Sequence, residues 1–227
     1  MLGKTVFFGK KKSIDAYTLL LIQSNTTHGS INFVDEAKNA PVTVYENAQH
    51  STEIAPIFGT SSMKFDGTND RLTVPDSNDW FFGMNNFTID VWFKPINLSI
   101  TQNLCGQSAG SASTSSPRIR LVGNKLDVVF YNSGANIEIL GSTALVINTW
   151  YHFAFMRSGN TLYLFLNGLP EGTANVTGIS SNESVAAFGV GGISTSSAPA
   201  NGYMQSFRIS NVARYPTGGF TPNNFLY

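Results

Sequence analysis

Apolar and polar residues alternate at period two from one end of this chain to the other, and that limits its fold more than any other feature. In "FTIDVWF" Phe87, Ile89, Val91 and Phe93 fall on one face and Thr88, Asp90 and Trp92 on the other, as an extended strand requires. "MKFDG", "DRLTVP", "IEIL", "SVAAFGV" and "MQSFRIS" read as further short strands. No stretch keeps a 3.6-residue apolar period for three turns, so the helix expected is a single turn around Asn211 to Tyr215. Composition agrees. Gly, Ser, Thr and Asn replace Lys and Glu, and charged residues are 12% of the 227, about half the usual share. The expectation is one all-β domain, two antiparallel sheets packed face to face over residues 16–227.

Turn residues set the pairing. Gly123-Asn124 in "RIRLVGNKLDVVFY" and Gly159-Asn160 in "WYHFAFMRSGNTLYLFLNG" are two-residue hairpin turns. The second turn places Phe155 opposite Leu164 and Phe153 opposite Leu166 on a core face. The other face carries Trp150, His152, Ala154 and Met156 opposite Tyr163, Phe165 and Asn167, a mixed surface expected to line a shallow, partly wet concavity. His152 reads as a hydrogen-bonded structural histidine, because the sequence puts no Ser, Cys or paired acid beside it. The serine-rich tracts at 108–117 and 194–200 are expected to be exposed loops.

Several function classes drop out. Formal net charge is zero, so no basic field draws in nucleic acid. The apolar run Val6 to Phe8 is too short for a signal peptide, and "TLLLI" is too short for a membrane span. The chain is therefore expected to be made in a cytoplasm and not inserted into a membrane. Cys105 is the lone cysteine and is read as a small buried apolar residue, not a nucleophile. Asn-x-Ser/Thr triplets at Asn25, Asn86, Asn97, Asn175 and Asn182 are what so much Asn, Ser and Thr produces by chance. Residues 1–15 stand apart as an N-terminal arm with an apolar patch (Val6, Phe7, Phe8) and a lysine cluster that includes Lys10, Lys11 and Lys12. Such an arm cannot fold alone but can dock on a neighbouring subunit.

Longer motifs carry a family resemblance. "WYHFAFMRSGNTLYLFLNG", "KFDGTNDRLTVPDSNDWFFGMNNFTIDVWFKP", "TLLLIQSNTTHGSINFVDEAKN" and the closing "NGYMQSFRISNVARYPTGGFTP" occur in the order seen in concanavalin A-like, laminin-G-like domains. The chain resembles that family from about Tyr17 to Tyr227, which implies a jelly-roll sandwich. The variant ending in A-R-Y…F-T-P is similar to domains of phage virion and tail proteins.

The resemblance sharpens the chemistry. Sandwiches of this class that hydrolyse glycosides need paired carboxylates on one strand face, and the E-x-D-x-x-E type of signature is absent. "GVGG" at 189–192 precedes no helix and is no phosphate loop. No enzyme and no cofactor is expected. Relatives hold a structural calcium through an acidic pair that falls here at Gln205 and Ser206, leaving Asp66 and Asp70 as remaining calcium candidates. A glycan face would take its aromatic planes from Trp92, Trp150 and Tyr163, with Asp90, His152 and Asn167 as hydrogen-bonding groups. The resemblance thus implies a non-enzymatic structural protein of a phage particle, either a capsid decoration or a tail or fibre component. The implied partners are other virion proteins and further copies of the chain, held through the arm. The alternative is a carbohydrate-binding adhesion module for a host-surface glycan.

Overall fold

The computed structural model describes residues 14–134, 136–195 and 197–226. In chain order its strands are β1 (Thr18–Ile22), β2 (Thr43–Tyr45), β3 (Gln49–Ser51), β4 (Ser62–Asp66), β5 (Arg71–Val74), β6 (Phe87–Pro95), β7 (Gln102–Gly106), β8 (Arg118–Val122), β9 (Lys125–Phe130), β10 (Ile137–Leu140), β11 (Tyr151–Ser158), β12 (Thr161–Leu166), β13 (Leu169–Asn175), β14 (Phe188–Val190) and β15 (Asn201–Ser210). They form two antiparallel sheets. The first runs β13-β12-β11-β6-β15-β4-β3, with β1 beside β15, and the second runs β10-β9-β8-β7-β14-β5-β2. This is the two-sheet jelly roll that the alternation and the motifs implied.

Both hairpins have the expected register. Val122 faces Lys125 across the first turn, and Phe155 faces Leu164 and Phe153 faces Leu166 across the second. The long β15 holds the first sheet together. One edge pairs with β6, and the other pairs first with β4 and then with β1. The switch is made at a bulge between Gln205 and Arg208, where Ser206 takes a φ of 53°. Between the sheets lies one apolar core that includes Phe87, Phe130, Phe153, Phe155, Phe188 and Phe207. Arg157 ends the core-facing row of β11, wholly buried, and donates to the carbonyls of Gly83, Gly159, Val176 and Ile179 at 2.8 to 3.3 Å.

Four expectations need correction. No helix forms at 211–215; helical content among the described residues is two short 3-10 turns, Asn78–Trp80 and Ala112–Thr114. The backbone after Ser210 spends its polar groups on β6 instead: Thr88 Oγ1 donates to Val212 O (2.7 Å) and accepts from Arg214 N (3.1 Å). Of "SVAAFGV" only Phe188–Val190 is strand. The serine-rich tracts are not simply exposed, because Ser115 and Ser116 are buried and Ser194 Oγ donates to Ser108 O at 2.6 Å. Finally, Asp15 belongs to the domain, since both its oxygens take hydrogen bonds from Arg214 at 2.8 Å. That guanidinium holds the Asp15 carboxyl well below the usual range. The proposed docking residues Val6, Phe7, Phe8, Lys10, Lys11 and Lys12 lie outside the described residues. Among those described, no helix is long and apolar enough to cross a membrane.

Candidate functional site

Strands β6, β11 and β12 do present the expected second face, but it is covered. The C-terminal segment crosses it, with the rings of Tyr215 and Phe220 stacked 3.6 Å apart. Ala154, Met156 and Phe165 pack beneath that pair as a small separate core. Asp90 and His152 are only 4% and 2% exposed, so the partly wet concavity is a sealed layer. Arg208 holds Asp90 with two bonds, Nε to Oδ2 at 3.0 Å and Nη2 to Oδ1 at 3.3 Å. Burial pushes the Asp90 carboxyl up, yet Arg208 and His152 outweigh it and leave the group below its ordinary value. His152 sits 3.6 Å from Asp90, between Trp92, Tyr215 and Phe220. Trp92 donates to Asn223 O at 2.8 Å.

The other proposed glycan residues do not join this cluster. Trp150 donates to Ala55 O at 3.2 Å. Tyr163 stacks beside Phe165. Asn167 adopts a φ of 51° in the β12–β13 turn and accepts from His152 N at 2.8 Å. The next residue must be glycine: its φ is 79°, and a Cβ would lie 1.9 Å from Phe220 O. Asp90 and His152 of the proposed glycan face therefore form a structural seam, whereas Trp92, Trp150 and Tyr163 are half-buried and Asn167 is exposed. Periodicity identified its polarity and could not identify its cover.

The calcium candidates are spent on backbone. Asp70 accepts from Asn47 N (2.7 Å) and Asp66 N (2.9 Å), and Asp66 accepts from Thr68 N at 2.7 Å. Gln205 accepts from Ile57 N (3.1 Å) and donates to the carbonyls of Phe58 and Ser61. Only an amide can do both, and a carboxylate there would face two carbonyl oxygens. Among the described residues no group of three metal-ligating side chains converges. Two other groups mimic catalytic parts. Ser24 Oγ lies 2.7 Å from His50 Nδ1, but Ser24 is wholly buried and burial holds His50 below its ordinary value. At Cys105 burial pushes the thiol up to about 12, so no thiolate forms near neutrality.

The outer face of the second sheet is different, and sequence reasoning passed over it. Register places Arg118 and Arg120 of β8, Asp127 and Val129 of β9 and Asn103 of β7 on it, with Arg71 and Tyr45 at the far edge. The Arg71 guanidinium lies 3.8 Å above the Tyr45 ring, and that of Arg118 4.8 Å above the Tyr131 ring. Arg120 bridges Asp127 (2.6 Å) and Glu138 (2.9 Å). Burial lifts Asp127 to about 6, with Arg120 opposing and Glu138 adding to the rise. Asp127 is wholly buried and Glu138 exposed, so of the two acids that orient Arg120 only Glu138 meets solvent. Asn103 Oδ1, Asp127 Oδ1, Arg71 Nε and Arg118 Nε have no hydrogen-bond partner among the described residues. The available signal was the polar row Arg118, Arg120 and Asp127 within one hairpin.

Comparison with known proteins matches residues 66–217, well over half the chain, to a family described as the concanavalin A-like lectin/glucanases superfamily. No curated protein matches by sequence. Among solved structures, the binding domain of Paraclostridial Mosquitocidal Protein 1 superposes with a TM-score of 0.68 at 14% identity, over 87% of this chain and 49% of that one. The receptor binding domain of botulinum neurotoxin D gives 0.67 at 14% identity, over 87% and 50%. This chain thus spans about half the length of those toxin domains. Domain 4 of AbnA, a GH43 extracellular arabinanase from Geobacillus stearothermophilus, solved in complex with arabinotriose, gives 0.63 at 17% identity over 86% and 93%. At these identities the likeness is one of fold.

Proposed function

We propose a function from this premise: the chain belongs to the concanavalin A-like lectin/glucanases superfamily. It is a non-catalytic module that binds a saccharide on the outer face of its second sheet. The observation that carries this is the face itself, where the exposed Tyr45 sets a ring plane beside the Arg71 guanidinium and Arg120 and Glu138 stand further along the same sheet. Planar donors beside aromatic rings are what a sugar's hydroxyls and C–H faces bind. Domain 4 of the arabinanase, of the same fold and solved with arabinotriose, supports the reading. Catalysis is left out because the acid pair on this face is closed to solvent at Asp127. A glycan array tests it. Binding that is lost in Arg71→Ala at nearly unchanged Tm is expected, together with no release of reducing ends from bound polysaccharides. An array with no bound glycan defeats the reading.

A second reading rests on the closing segment "ARYPTGGFTP" and its similarity to phage virion and tail domains. In it the chain is a structural virion component, capsid decoration or tail fibre, made in the host cytoplasm and docked through Val6, Phe7, Phe8, Lys10, Lys11 and Lys12. The two readings are compatible, since attachment to a host glycan is a task for a particle surface. Deleting residues 1–12 is expected to leave Tm unchanged and abolish co-sedimentation with the particle. Full co-sedimentation of the shortened chain defeats the docking role.

A further inference from the structure

A cleft of about 180 Å³ opens between the segment 78–86, the start of β1 and the residue after β15. Its wall carries the carboxamides of Asn78, Asn85 and Asn211, none with a side-chain partner among the described residues. Beside them the ring of Phe81 stands 41% exposed, and Asp79 is held by Lys38 at 2.6 Å. The loop that presents these groups is fixed before any ligand arrives. Gly83 N donates to Ser181 Oγ and Gly83 O accepts from Ser181 N, each at 2.9 Å. The buried Arg157 adds a bond to Gly83 O at 3.2 Å, and Asn86 Oδ1 accepts from Gly159 N at 2.7 Å.

We propose that this cleft is a subsite for one neutral pyranose ring at the end of a glycan. The inference rests on the saccharide-binding reading and adds a place and a ligand class to it. Each carboxamide offers a donor and an acceptor a fixed distance apart, the pattern that adjacent sugar hydroxyls complement. Phe81 supplies an apolar plane for the C–H face of the ring. The one lysine beside the cleft, Lys38, is already paired with Asp79, and among the described residues no other cation lines it, so an acidic sugar finds no free counter-charge there. The volume falls below the roughly 300–1,000 Å³ of clefts that take drug-sized ligands, which suits one ring and not a chain. A loop already held on both sides loses little freedom on binding.

The probes are the methyl pyranosides of glucose, galactose, mannose and N-acetylglucosamine, with glucuronic acid as the charged control. Side-chain NH₂ resonances of the ¹⁵N-labelled full chain are the readout. At millimolar sugar at least one neutral probe is expected to shift the amides of Asn78, Asn85 and Asn211, and glucuronic acid to shift none. Phe81→Ala and Asn85→Ala should each weaken that binding at least tenfold without changing Tm. Shifts confined to the second-sheet face around Asn103 and Arg120 overturn the cleft and leave the saccharide-binding reading standing. No shift at either place overturns both. Glucuronic acid bound in the cleft as tightly as the neutral probes overturns the ligand class.

Discussion

The outer face of the first sheet is closed by the chain's own C-terminal segment, whereas serine-rich loops only partly cover the second, where Tyr45 and Glu138 remain exposed. Both faces carry charge. Under the C-terminal segment, Asp90 and Arg208 satisfy each other, and the rings of Tyr215 and Phe220 exclude water above them. Among the described residues each face still holds buried polar atoms without a partner, His152 Nδ1 on the first and Asn103 Oδ1, Asp127 Oδ1, Arg71 Nε and Arg118 Nε on the second, each at a cost of about 1–3 kcal/mol. Even the floor differs. Gly189 is glycine because the turn after β14 folds back so closely that a Cβ would lie 2.5 Å from Gly192 O. The two faces differ in what covers them: rings of the closing segment over the first, and only partial loop cover over the second.

Breaking the sealed face should have the largest effect. Arg208→Met strands the buried Asp90 charge, and a loss of about 3–5 kcal/mol is expected in chemical denaturation. The pH dependence has a definite sign. The folded Asp90 pKa lies below its unfolded value, so the contribution is complete above that value, near pH 3.8, and is lost as pH falls through the folded pKa. Arg208→Met should remove that acid-side slope, and a slope left intact would mean that His152 alone holds the carboxylate. Next in size is the ring pair. Phe220→Ala should cost about 1.5–3 kcal/mol by urea denaturation. A double-mutant cycle with Tyr215→Ala should show a further coupling of about 0.5–1.5 kcal/mol. Additive losses would mean that the two rings cover the face independently.

Smaller effects are expected on the second sheet. The folded Asp127 pKa is raised to about 6 from 3.8, so this group favours folding below pH 3.8 and progressively disfavours it as pH rises to about 6. Asp127→Asn should therefore raise Tm at pH 7, by the equivalent of about 1 kcal/mol. A lowered Tm would show that the bond to Arg120 outweighs burial. Smallest in stability is Arg71→Ala, at less than about 1 kcal/mol, since it releases one guanidinium from the Tyr45 ring and one exposed bond to Asn69 O. The same change should remove glycan binding on the array, a separation of function from stability that the sealed face cannot show.

Strands such as Phe87–Pro95 and Tyr151–Ser158 were legible because side-chain alternation and the Gly159-Asn160 turn are local properties. The structural role of His152 followed as well, from the lack of any nucleophile near it in sequence. What covers His152 did not. Tyr215 and Phe220 lie more than 60 positions further on, outside any periodic segment, and the helical turn expected there is displaced by bonds to Thr88. The centre of the face chosen for a glycan, Asp90 and His152, is thus covered, while the row Arg118, Arg120 and Asp127 looked like an ordinary polar strand face.

By itself the sequence determined the all-β class, the hairpin registers and the single interior of Phe, Leu, Ile and Val, because each depends on neighbours within a few residues. Only the tertiary structure decided which polar face is sealed and which stays partly open. That choice rests on pairings such as Asp90 with Arg208, 118 residues apart, and Asp15 with Arg214, 199 apart, which no local pattern encodes. Whether a charge is buried or presented depends on the path of a segment that packs last in the chain, and composition and periodicity carry no record of that path.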